Sequence, residues 1–493
     1  MKIMFIFLND RKRTLIPTNL CLLKASVQNH GFQTKIFDTS FYEEHERFKE
    51  EEKKEETGIF KKIDYESIGI KTKKTSLIED FLTDVQDWQP DLLAFSVYSS
   101  TYKLGCKMAA AVKQKYSNNI ITIFGGIHVS IAPENVINEP AIDLICLGEG
   151  EETLVELCEK LSEKKGIKNI RSIWLKENGK IIKNPLMPPI NVNELPLPNW
   201  EGFNIAHHYA PYRGKLLKTA LVEFSRTCLF DCGYCGNRIL KDIYKTSGVK
   251  SIIRHKSPAK FIKDLKFLKE TYGVEFVSIT DGTFLSFPTP LLEELAKIYI
   301  KEINLPFFID STVTTITPKR VELLKEMGCI AINMGIECGN VEYRQKYLLR
   351  NITDEQIIRA FKIVREAGIE ARAYNIIGLP FETRKDIFKT IELNRNAHAN
   401  SISLSIFVPY NGTYLRDLCI EKGFISKDHE VVGDGTIPNI KSDSISDDEL
   451  IGLYNTFYLY VKVPKILFPI IRLLEKNNKF LIILRKLLLK IFG

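Results

Sequence analysis

The sequence predicts an α/β protein with two main domains, a doubly wound parallel sheet followed by a partial β/α barrel, and a helical tail. Three observations support this prediction. Short apolar runs of buried-strand type alternate with helix-length amphipathic stretches along most of the chain. Five prolines between Pro185 and Pro198 mark a stiff connector. At 493 residues and 44% hydrophobic content, the chain is long enough for two or three folded domains.

Composition and cysteine usage narrow the functional classes. The 69 Lys+Arg residues exceed the 61 Asp+Glu residues by a net charge of +8 that is spread along the chain, so no nucleic-acid partner is expected. The ten cysteines form no even disulfide ladder, and the amino terminus does not show the pattern of a secretory signal. We therefore expect a cytoplasmic protein with reduced thiols.

The first domain is predicted over residues 1–160 from four apolar runs. They are KIMFIFL (2–8), DLLAFSV (91–97), IITIFGG (120–126) and DLICLG (143–148). Because helix-length stretches separate them, we expect parallel strands with helices on both faces, a Rossmann-like arrangement. A charged insertion at about 41–75 is interpreted as a solvated helix or flexible segment without chemistry.

The second domain is predicted over residues 201–415, after a hairpin and Pro-rich linker at 161–200. Asn178-Gly179 between two apolar runs predicts the two-residue hairpin turn. Six apolar runs then alternate with amphipathic stretches, and capping residues mark the helix ends. The runs begin at residues 221, 276, 307, 331, 373 and 404, and the capping signals are Ser257-Pro258, Thr317-Pro318, Thr353 with Gln356, Gly273, Gly328 and Gly368. Six strand–helix units in series predict an open (β/α)6 TIM-like barrel, with its chemistry at the carboxyl ends of the strands.

A cysteine loop, RTCLFDCGYCGN (226–237), directly follows the first of these strands. Cys228, Cys232 and Cys235 are spaced Cys-x3-Cys-x2-Cys. Three thiolates from one loop can ligate three irons of a [4Fe-4S] cluster and leave the fourth iron open to an exogenous ligand. The alternative is a zinc site completed by a histidine, although the paired-knuckle spacing of such sites is absent. The histidines considered are His207, His208 and His255.

With Tyr234 before its last cysteine, the loop resembles the signature of radical S-adenosylmethionine (SAM) enzymes. The resemblance implies that the open iron chelates SAM and that an electron from the cluster cleaves SAM to a 5′-deoxyadenosyl radical. Further motifs similar to those of the family are TDGTF (280–284), GIECGN (335–340), YLLRN (347–351), NIIGLPFET (375–383) and FVPYNGT (407–413). The SAM-binding candidates they imply are Tyr234, Asp281, Thr283, Glu337, Cys338, Arg350, Asn375 and Gly378. A plain turn at Asp281 and an exposed arginine at Arg350 are the structural alternatives.

The amino-terminal domain resembles the cobalamin-binding domain of one branch of these enzymes. The motifs that support the resemblance are PTNLCLLKASVQNHGFQTKIFD (17–38), GGIHVSIAPE (125–134), DLICLGEGEET (143–153) and, at the start of the barrel, RHKSPAKFIKDLKFL (254–268). The cobalamin-binding candidates they imply are Asn19, Ser96, Gly125, Gly126, His128, Gly148 and Glu149. Because no Asp-x-His-x-x-Gly pattern is present, we predict cobalamin without a protein histidine ligand (His-off), with His128 as a loop histidine. A degenerate domain that has lost cobalamin is the alternative.

The resemblance implies a cobalamin-dependent radical SAM enzyme that methylates an unactivated carbon of a small-molecule or lipid-like substrate. A cyclase, oxidase or ring-modifying enzyme without methyl transfer is the alternative. A binding protein with a structural metal site is a remote one, because no RNA-binding consensus accompanies the cysteines. The implied electron donor is a reductase with flavodoxin or ferredoxin. No catalytic residue beyond the cluster ligands is identified.

The residues from 416 to 493 are predicted to form a helical extension. The stretch 466–493 never reaches the eighteen unbroken apolar residues that a membrane span requires. At helical spacing, its basic residues lie on one face and an apolar face lies largely opposite, which suits a helix on a membrane surface. The basic residues are Lys479, Lys486 and Lys490, and the apolar ones are Leu481, Leu484, Leu488 and Ile491. Packing of this helix over the barrel is the alternative.

Overall fold

The computed structural model describes most of the chain and divides it into two compact units. The described residues are 1–11, 14, 16–46, 64–116, 120–249, 252–431, 435–476 and 478–492. The first unit takes its described residues from Met1–Glu51, Ile63–Leu221 and Ile239–Glu275, and the second from Val222–Arg238 and Phe276–Gly493. Much of the predicted charged insertion, at 47–63, lies outside the described residues.

The first unit is built on a seven-stranded sheet in the order β2-β1-β3-β4-β5-β6-β7. The strands are β1 (Lys2–Phe7), β2 (Gln33–Asp38), β3 (Leu92–Ser96), β4 (Ile121–Gly125), β5 (Leu144–Cys146), β6 (Ile173–Glu177) and β7 (Lys180–Lys183). The first five are parallel, and β6 and β7 are antiparallel. The strand order therefore reverses between β1 and β3, the switch point at which open α/β sheets form their ligand crevice.

Helices cover both faces of this sheet. They are α1 (Thr18–Asn29), α2 (Leu77–Trp88), α3 (Tyr102–Tyr116), α4 (Ile127–Ile131), α5 (Pro133–Asn138) and α6 (Glu151–Ser162). Met4 of β1 packs in one apolar cluster with Phe81 of α2 and Met108 of α3, whereas Ile3 and Phe5 are fully buried on the opposite face. Helices α1 and α6 contact each other. The predicted doubly wound sheet is thus confirmed.

After β7 the chain forms a hairpin and then a second parallel sheet. The hairpin strands are β8 (Tyr209–Tyr212) and β9 (Lys215–Val222), followed by the short β10 (Ser225–Arg226) and β11 (Arg254–His255). The parallel strands of the second unit are β12 (Phe276–Ile279), β13 (Phe307–Ser311), β14 (Cys329–Glu337), β15 (Glu370–Ile377) and β16 (Ser401–Ile406). They lie side by side in chain order, as expected for the predicted open barrel.

The helices of this region alternate with the strands, and those with predicted capping residues, at 258–272, 318–326 and 354–366, begin and end near these residues. The helices are α7 (Gly236–Thr246), α8 (Pro258–Tyr272), α9 (Thr289–Glu302), α10 (Pro318–Glu326), α11 (Val341–Lys346), α12 (Asp354–Glu366) and α13 (Arg384–Ala397). The side chains of Ser257 and Thr317 accept the N-cap hydrogen bonds of α8 and α10. Thr353 and Gln356 form both bonds of a capping box. These local signals fix the lengths of the strand–helix connections.

The strands of the second unit have one closed and one more open face. Phe307 and Ile309 of β13 and Ala373 of β15 are fully buried. Their neighbours Asp310 and Tyr374 point to the other side and are partly exposed, Tyr374 to 37%. Because successive side chains of a strand alternate between faces, Asp310 and Tyr374 lie on the concave side of the open barrel.

The carboxyl-terminal extension is helical, as predicted. It consists of α14 (Tyr414–Glu421), α15 (Asp447–Lys462), α16 (Phe468–Leu474) and α17 (Lys479–Phe492). Leu481, Leu484 and Leu488 of α17 pack against an apolar cluster that includes residues of α13 and α15. Their assignment to a membrane-facing surface is therefore wrong, because these residues form the packed face. Among the described residues, no helix has the length and hydropathy needed to cross a bilayer.

Candidate functional site

The cysteine loop lies in the second unit, and two of its three thiols are buried. Cys228 and Cys232 are 8% and 9% exposed, and the backbone N–H of the half-buried Cys235 donates to Cys232 O at 3.1 Å. Burial raises the pKa of Cys232 and Cys235. Among the described residues, no three His, Cys, Asp or Glu side chains converge on one ion position. A [4Fe-4S] cluster takes its thiolates on separate irons, and the three thiols of this loop stay the predicted ligands.

Gly233 fixes the loop through a close backbone approach. Its N–H donates to Leu348 O at 3.0 Å, and its C=O accepts from Leu415 N at 3.0 Å. A Cβ atom at this position would lie 2.6 Å from Tyr347 O and 3.0 Å from a ring carbon of Tyr414. Glycine is therefore required between the second and third cysteines.

Asp281 holds the chain just ahead of the cysteine loop. One carboxylate oxygen accepts from Phe224 N at 2.7 Å, and the other accepts from Ser225 N and Oγ at 2.8 and 2.6 Å. Burial raises the pKa of Asp281 to about 7, although these donors act in the opposite direction. Thr283, two residues on, places its Oγ1 3.4 Å from Cys228 Sγ. Asp281 is thus a positioning residue for the loop in this structure.

Arg350 is the centre of a polar group beside the cysteine loop. Its Nη1 lies 3.7 Å from Cys232 Sγ, 3.3 Å from Tyr234 OH and 3.7 Å from Glu337 Oε1. Its Nη2 donates to Gly335 O at 3.0 Å. The side chain is only 10% exposed, so the alternative of an exposed arginine is wrong. Its Nε is buried and has no hydrogen-bond partner among the described residues.

Glu337 ends β14 in an unusual backbone conformation. Its φ is 63°, and the pairing register with β15 shifts between Gly335 and Glu337. A Cβ atom on Gly335 would lie 2.1 Å from Glu337 Oε1, so the carboxylate folds back over the glycine. Burial raises the pKa of Glu337, and Arg350 opposes this effect. A left-handed conformation at a residue other than glycine costs about 1–3 kcal/mol and is typical of ligand sites.

Three other SAM-binding candidates make contacts within the protein. Cys338 is fully buried in an apolar cluster with Leu348. Asn375 forms two hydrogen bonds with Asn394 of α13, at 2.7 and 3.2 Å. Gly378 turns the chain after β15 with a φ of 72°. Their contacts with SAM stay predictions.

Two buried charged residues that the sequence did not single out support these turns. Arg344 is fully buried and donates to Cys338 O at 2.7 Å and Ile352 O at 2.9 Å, and it pairs with Asp354. Glu382 is 1% exposed and accepts from Leu379 N at 3.1 Å, and burial raises its pKa to about 8. Only the buried position of each distinguishes it from surface charges, and spacing does not reveal that.

A polar group on the concave face lies close to Arg350. Asp310 Oδ1 accepts from Asn333 Nδ2 at 2.7 Å and from Tyr374 OH at 3.1 Å. Tyr374 is paired in register with Gly335, whose carbonyl oxygen accepts from Arg350. Burial raises the pKa of Asp310. This hydrogen-bonding wall was not predicted, although the alternation of polar and apolar residues on β13 and β15 is its sequence signal.

In the first unit, several cobalamin-binding candidates lie at the carboxyl ends of the parallel strands. Ser96 ends β3, and its Oγ accepts from Nδ2 of the exposed Asn19 at 2.8 Å. Gly125 ends β4 and accepts from Val97 N at 2.9 Å. Gly126 has a φ of 97°, and a Cβ there would lie 2.8 Å from Val97 O. A backbone-lined edge that only glycine permits therefore borders the switch point.

His128 lies in α4, the short helix that follows this edge. It is 6% exposed, its Nδ1 is 2.9 Å from Ser99 Oγ, and its ring centroid is 4.5 Å from that of Tyr102. Burial lowers the pKa of His128 to about 4, so the ring is neutral at pH 7. The structure thus places His128 in a short helix, where the sequence analysis expected a loop, and cobalamin binding without a histidine ligand stays a prediction.

Gly148 and Glu149 follow β5 and bind other parts of the first unit. A Cβ on Gly148 would lie 2.4 Å from Tyr244 OH, and its φ is 74°. The Glu149 carboxylate accepts two hydrogen bonds from Arg254, at 2.6 and 2.9 Å, and one from Ile190 N at 2.8 Å. The carboxylate is therefore committed to the protein, and a cobalamin contact of Glu149 stays a prediction.

Comparison with known families covers both units. Residues 6–158 match the B12 binding domain, and residues 222–393 match the Radical SAM superfamily. The chain belongs to the radical SAM enzymes that carry a B12-binding domain. A Radical SAM domain and a B12 binding domain imply a [4Fe-4S] cluster, SAM and cobalamin as cofactors.

Relatives of this radical SAM enzyme differ in their described activities. The uncharacterized methyltransferase PH0819 of Pyrococcus horikoshii is 27% identical over 348 residues, which are 70% of this chain and 73% of that protein. The anaerobic magnesium-protoporphyrin IX monomethyl ester cyclase of Rubrivivax gelatinosus is 22% identical over 65% of this chain and 57% of its own length. The structure of the cobalamin-dependent SAM radical enzyme OxsB, with aqua-cobalamin and SAM bound, superposes with a TM-score of 0.67. The superposition covers 99% of this chain and 70% of OxsB. At 15% sequence identity, this similarity shows the fold alone.

The residues present fit these cofactors. Three thiols on one glycine-fixed loop suit the cluster, and the unpartnered Nε of Arg350 offers a buried donor to an anionic group of SAM. In the first unit, the backbone of Gly126 packs closely against Val97, and Ser96 and Asn19 are polar groups at the same edge.

Proposed function

We propose that this radical SAM enzyme methylates an unactivated carbon of a small-molecule or lipid-like substrate. The observation that carries the proposal is the three-thiol loop beside the buried Arg350 group, in a chain that also has a glycine-lined B12-binding edge. With its cofactors bound, the enzyme would have a 5′-deoxyadenosyl radical to remove hydrogen and a cobalamin methyl group to donate. The methyltransferase relative agrees with this outcome.

In this proposal, residues of the second unit position the cysteine loop and orient the substrate. Asp281 and Gly233 hold the loop in place, and Arg350 supplies a desolvated positive charge next to Cys232. Asp310 and Tyr374 present hydrogen-bonding groups on the concave face, where they would orient a substrate next to SAM. No acid–base pair among them selects the reaction outcome.

Cobalamin binds, in this proposal, without a protein ligand to cobalt. His128 is buried in α4, contacts Ser99 and Tyr102, and keeps a neutral ring, so we assign it to the packing of that helix. Asn19, Ser96, Gly125, Gly126 and Gly148 contribute the polar and backbone groups of the binding edge.

The proposal extends to partners and location. A reductase with flavodoxin or ferredoxin would supply the electron that the cluster requires. The tail would hold the enzyme peripherally at a membrane surface, which would give it access to lipid-like substrates. The exposed apolar side chains of α16 and α17 support this part of the proposal.

The test is an anaerobic incubation of the iron- and sulfide-reconstituted protein with SAM, dithionite and hydroxocobalamin. We expect 5′-deoxyadenosine, S-adenosylhomocysteine and methylcobalamin to form together, and we expect Cys232→Ala to abolish the 5′-deoxyadenosine. Deoxyadenosine without any corrinoid binding would refute the cobalamin part and keep the radical part. Absence of all three products from a protein with a full cluster would contradict the proposal.

Cyclisation without methyl transfer is the second candidate, and the cyclase relative favours it. The two differ in the fate of the methyl group. Methylcobalamin and S-adenosylhomocysteine from methyl-labelled SAM support methylation, whereas deoxyadenosine formation with cobalamin bound but never methylated supports cyclisation.

A further inference from the structure

The tail has an apolar face that the described residues of the second unit leave exposed. Seven large apolar side chains of this region are between 47% and 84% exposed. They are Ile466, Ile470, Leu473, Phe480, Ile483, Leu487 and Ile491. The last four are spaced three, four and four residues apart on α17, so they form one stripe along that helix. An exposed apolar surface of this extent is typical of an interaction site.

Internal contacts fix which side of α17 faces outward. Leu481, Leu484 and Leu488 pack into the apolar cluster of the second unit. Arg485 is 1% exposed and donates to Leu474 O of α16 at 3.3 Å. Because these residues occupy the inner side, the stripe that begins at Phe480 points away from the unit.

The charge of the tail identifies the kind of surface it fits. Residues 465–493 contain seven basic residues and one acidic residue. Arg485 is buried and Lys465 pairs with Glu392 at 2.8 Å, whereas Arg472 and Lys476 are exposed. The acidic residue, Glu475, accepts hydrogen bonds from Arg384 and from Tyr460 OH at 2.6 Å, so its charge is balanced internally. Lys486, next to Leu487 of the stripe, is a further basic residue that is not fully buried. A second copy of this surface would bring like charges together, whereas anionic headgroups complement it.

We propose that α16 and α17 form a docking platform for an anionic lipid membrane, with the stripe Phe480, Ile483, Leu487 and Ile491 inserted into the headgroup region. The proposal rests on the peripheral membrane location proposed above and assigns it a face and a lipid chemistry. The platform lies on the membrane without spanning it, and basic side chains at its border contact anionic headgroups.

Vesicle flotation of the full-length protein tests the platform. The probes are vesicles of phosphatidylcholine alone and of phosphatidylcholine mixed with phosphatidylglycerol. We expect flotation with the mixed vesicles only, and its loss in high salt. The double variant Ile483→Ser/Leu487→Ser should lower the partition coefficient by about tenfold or more, because two apolar side chains no longer leave water. Ile205→Ser/Ile300→Ser is the matched control, since those side chains are 52% and 41% exposed outside the tail.

Each outcome decides the proposal. Flotation on neither vesicle, or equally on both, overturns it, as does an equal loss in the control variant. A change from oligomer to monomer in the stripe variant, without vesicle binding by the wild type, would assign the face to a second copy. Deoxyadenosine formation, measured on the same preparations without vesicles, separates this test from that of the proposed function, because the stripe contacts none of the cluster residues.

Discussion

Replacing Gly233 with alanine tests whether the cysteine loop depends on a close backbone approach. The added Cβ would lie 2.6 Å from Tyr347 O, several tenths of an ångström inside the shortest normal contact. Tyr347 O is a backbone atom, and the carbonyl of the next residue, Leu348, accepts a hydrogen bond from the Gly233 N–H. A rotamer change therefore does not relieve the clash. Forced overpacking of this kind costs about 1–3 kcal/mol. Since the displaced segment lies between Cys232 and Cys235, we expect the cost to fall on cluster binding, by about 5- to 150-fold in affinity.

The assay is iron and sulfide content per chain, with the cluster absorbance, after reconstitution at limiting iron. Gly166→Ala is the matched control, because a Cβ at Gly166 meets no atom within 4 Å and its φ is not positive. We expect Gly233→Ala to bind substantially less iron than the wild type, and Gly166→Ala to bind the same amount. Equal iron content and equal thermal stability in both variants would refute the reasoning.

Three further predictions concern single side chains. Arg350→Lys should weaken SAM binding by about 10- to 100-fold with the cluster retained, because lysine lacks the planar guanidinium that contacts Cys232 and Gly335. Equilibrium dialysis with SAM measures the affinity, and an unchanged affinity would contradict this prediction. Gly126→Ala should abolish hydroxocobalamin binding measured by its absorbance, while Gly31→Ala, also at positive φ but with open space, should bind normally. Burial lowers the pKa of His128 to about 4, so the stability that its neutral ring provides is present above pH 6.5 and is lost as the pH falls towards 4. Urea unfolding of the cofactor-free protein measures this loss. Between pH 6.5 and pH 4, the free energy of unfolding of His128→Gln should fall by about 2–3 kcal/mol less than that of the wild type. An equal fall in both proteins would disprove the assignment.

The fold was largely predictable because its strands are buried and its helices are capped. The apolar runs that begin at residues 2, 91, 120 and 143 became β1, β3, β4 and β5. The second strand in the chain, β2 (Gln33–Asp38), was not predicted. It lies at the edge of the sheet, and its sequence QTKIFD is half polar, so it lacks the apolar run that identifies its buried neighbours.

The candidate site could be predicted from the sequence only where its residues lie close together along the chain. The cysteine spacing predicts the three cluster ligands because all of them belong to one loop. Glu149 and Asn375 were assigned to cofactors, yet the structure gives their side chains partners in Arg254 and Asn394, more than 100 and 19 residues apart in sequence, respectively. A motif indicates that a polar residue is needed at a position. Which group that residue contacts depends on how distant parts of the chain pack together.

The tail shows that the sequence alone does not determine which face of an amphipathic helix is buried. In α17 apolar residues occupy more than half of the circumference, so the sequence permits two faces to be buried. The choice is made by α15 and α16, which offer an apolar cluster to Leu484 and Leu488 and a backbone acceptor to Arg485. A helix that served packing alone would have polar residues on its outer side, as surface helices of globular proteins do. The outer side of α17 instead carries the exposed Phe480 and Ile483, and this is the pattern that the proposed membrane platform requires.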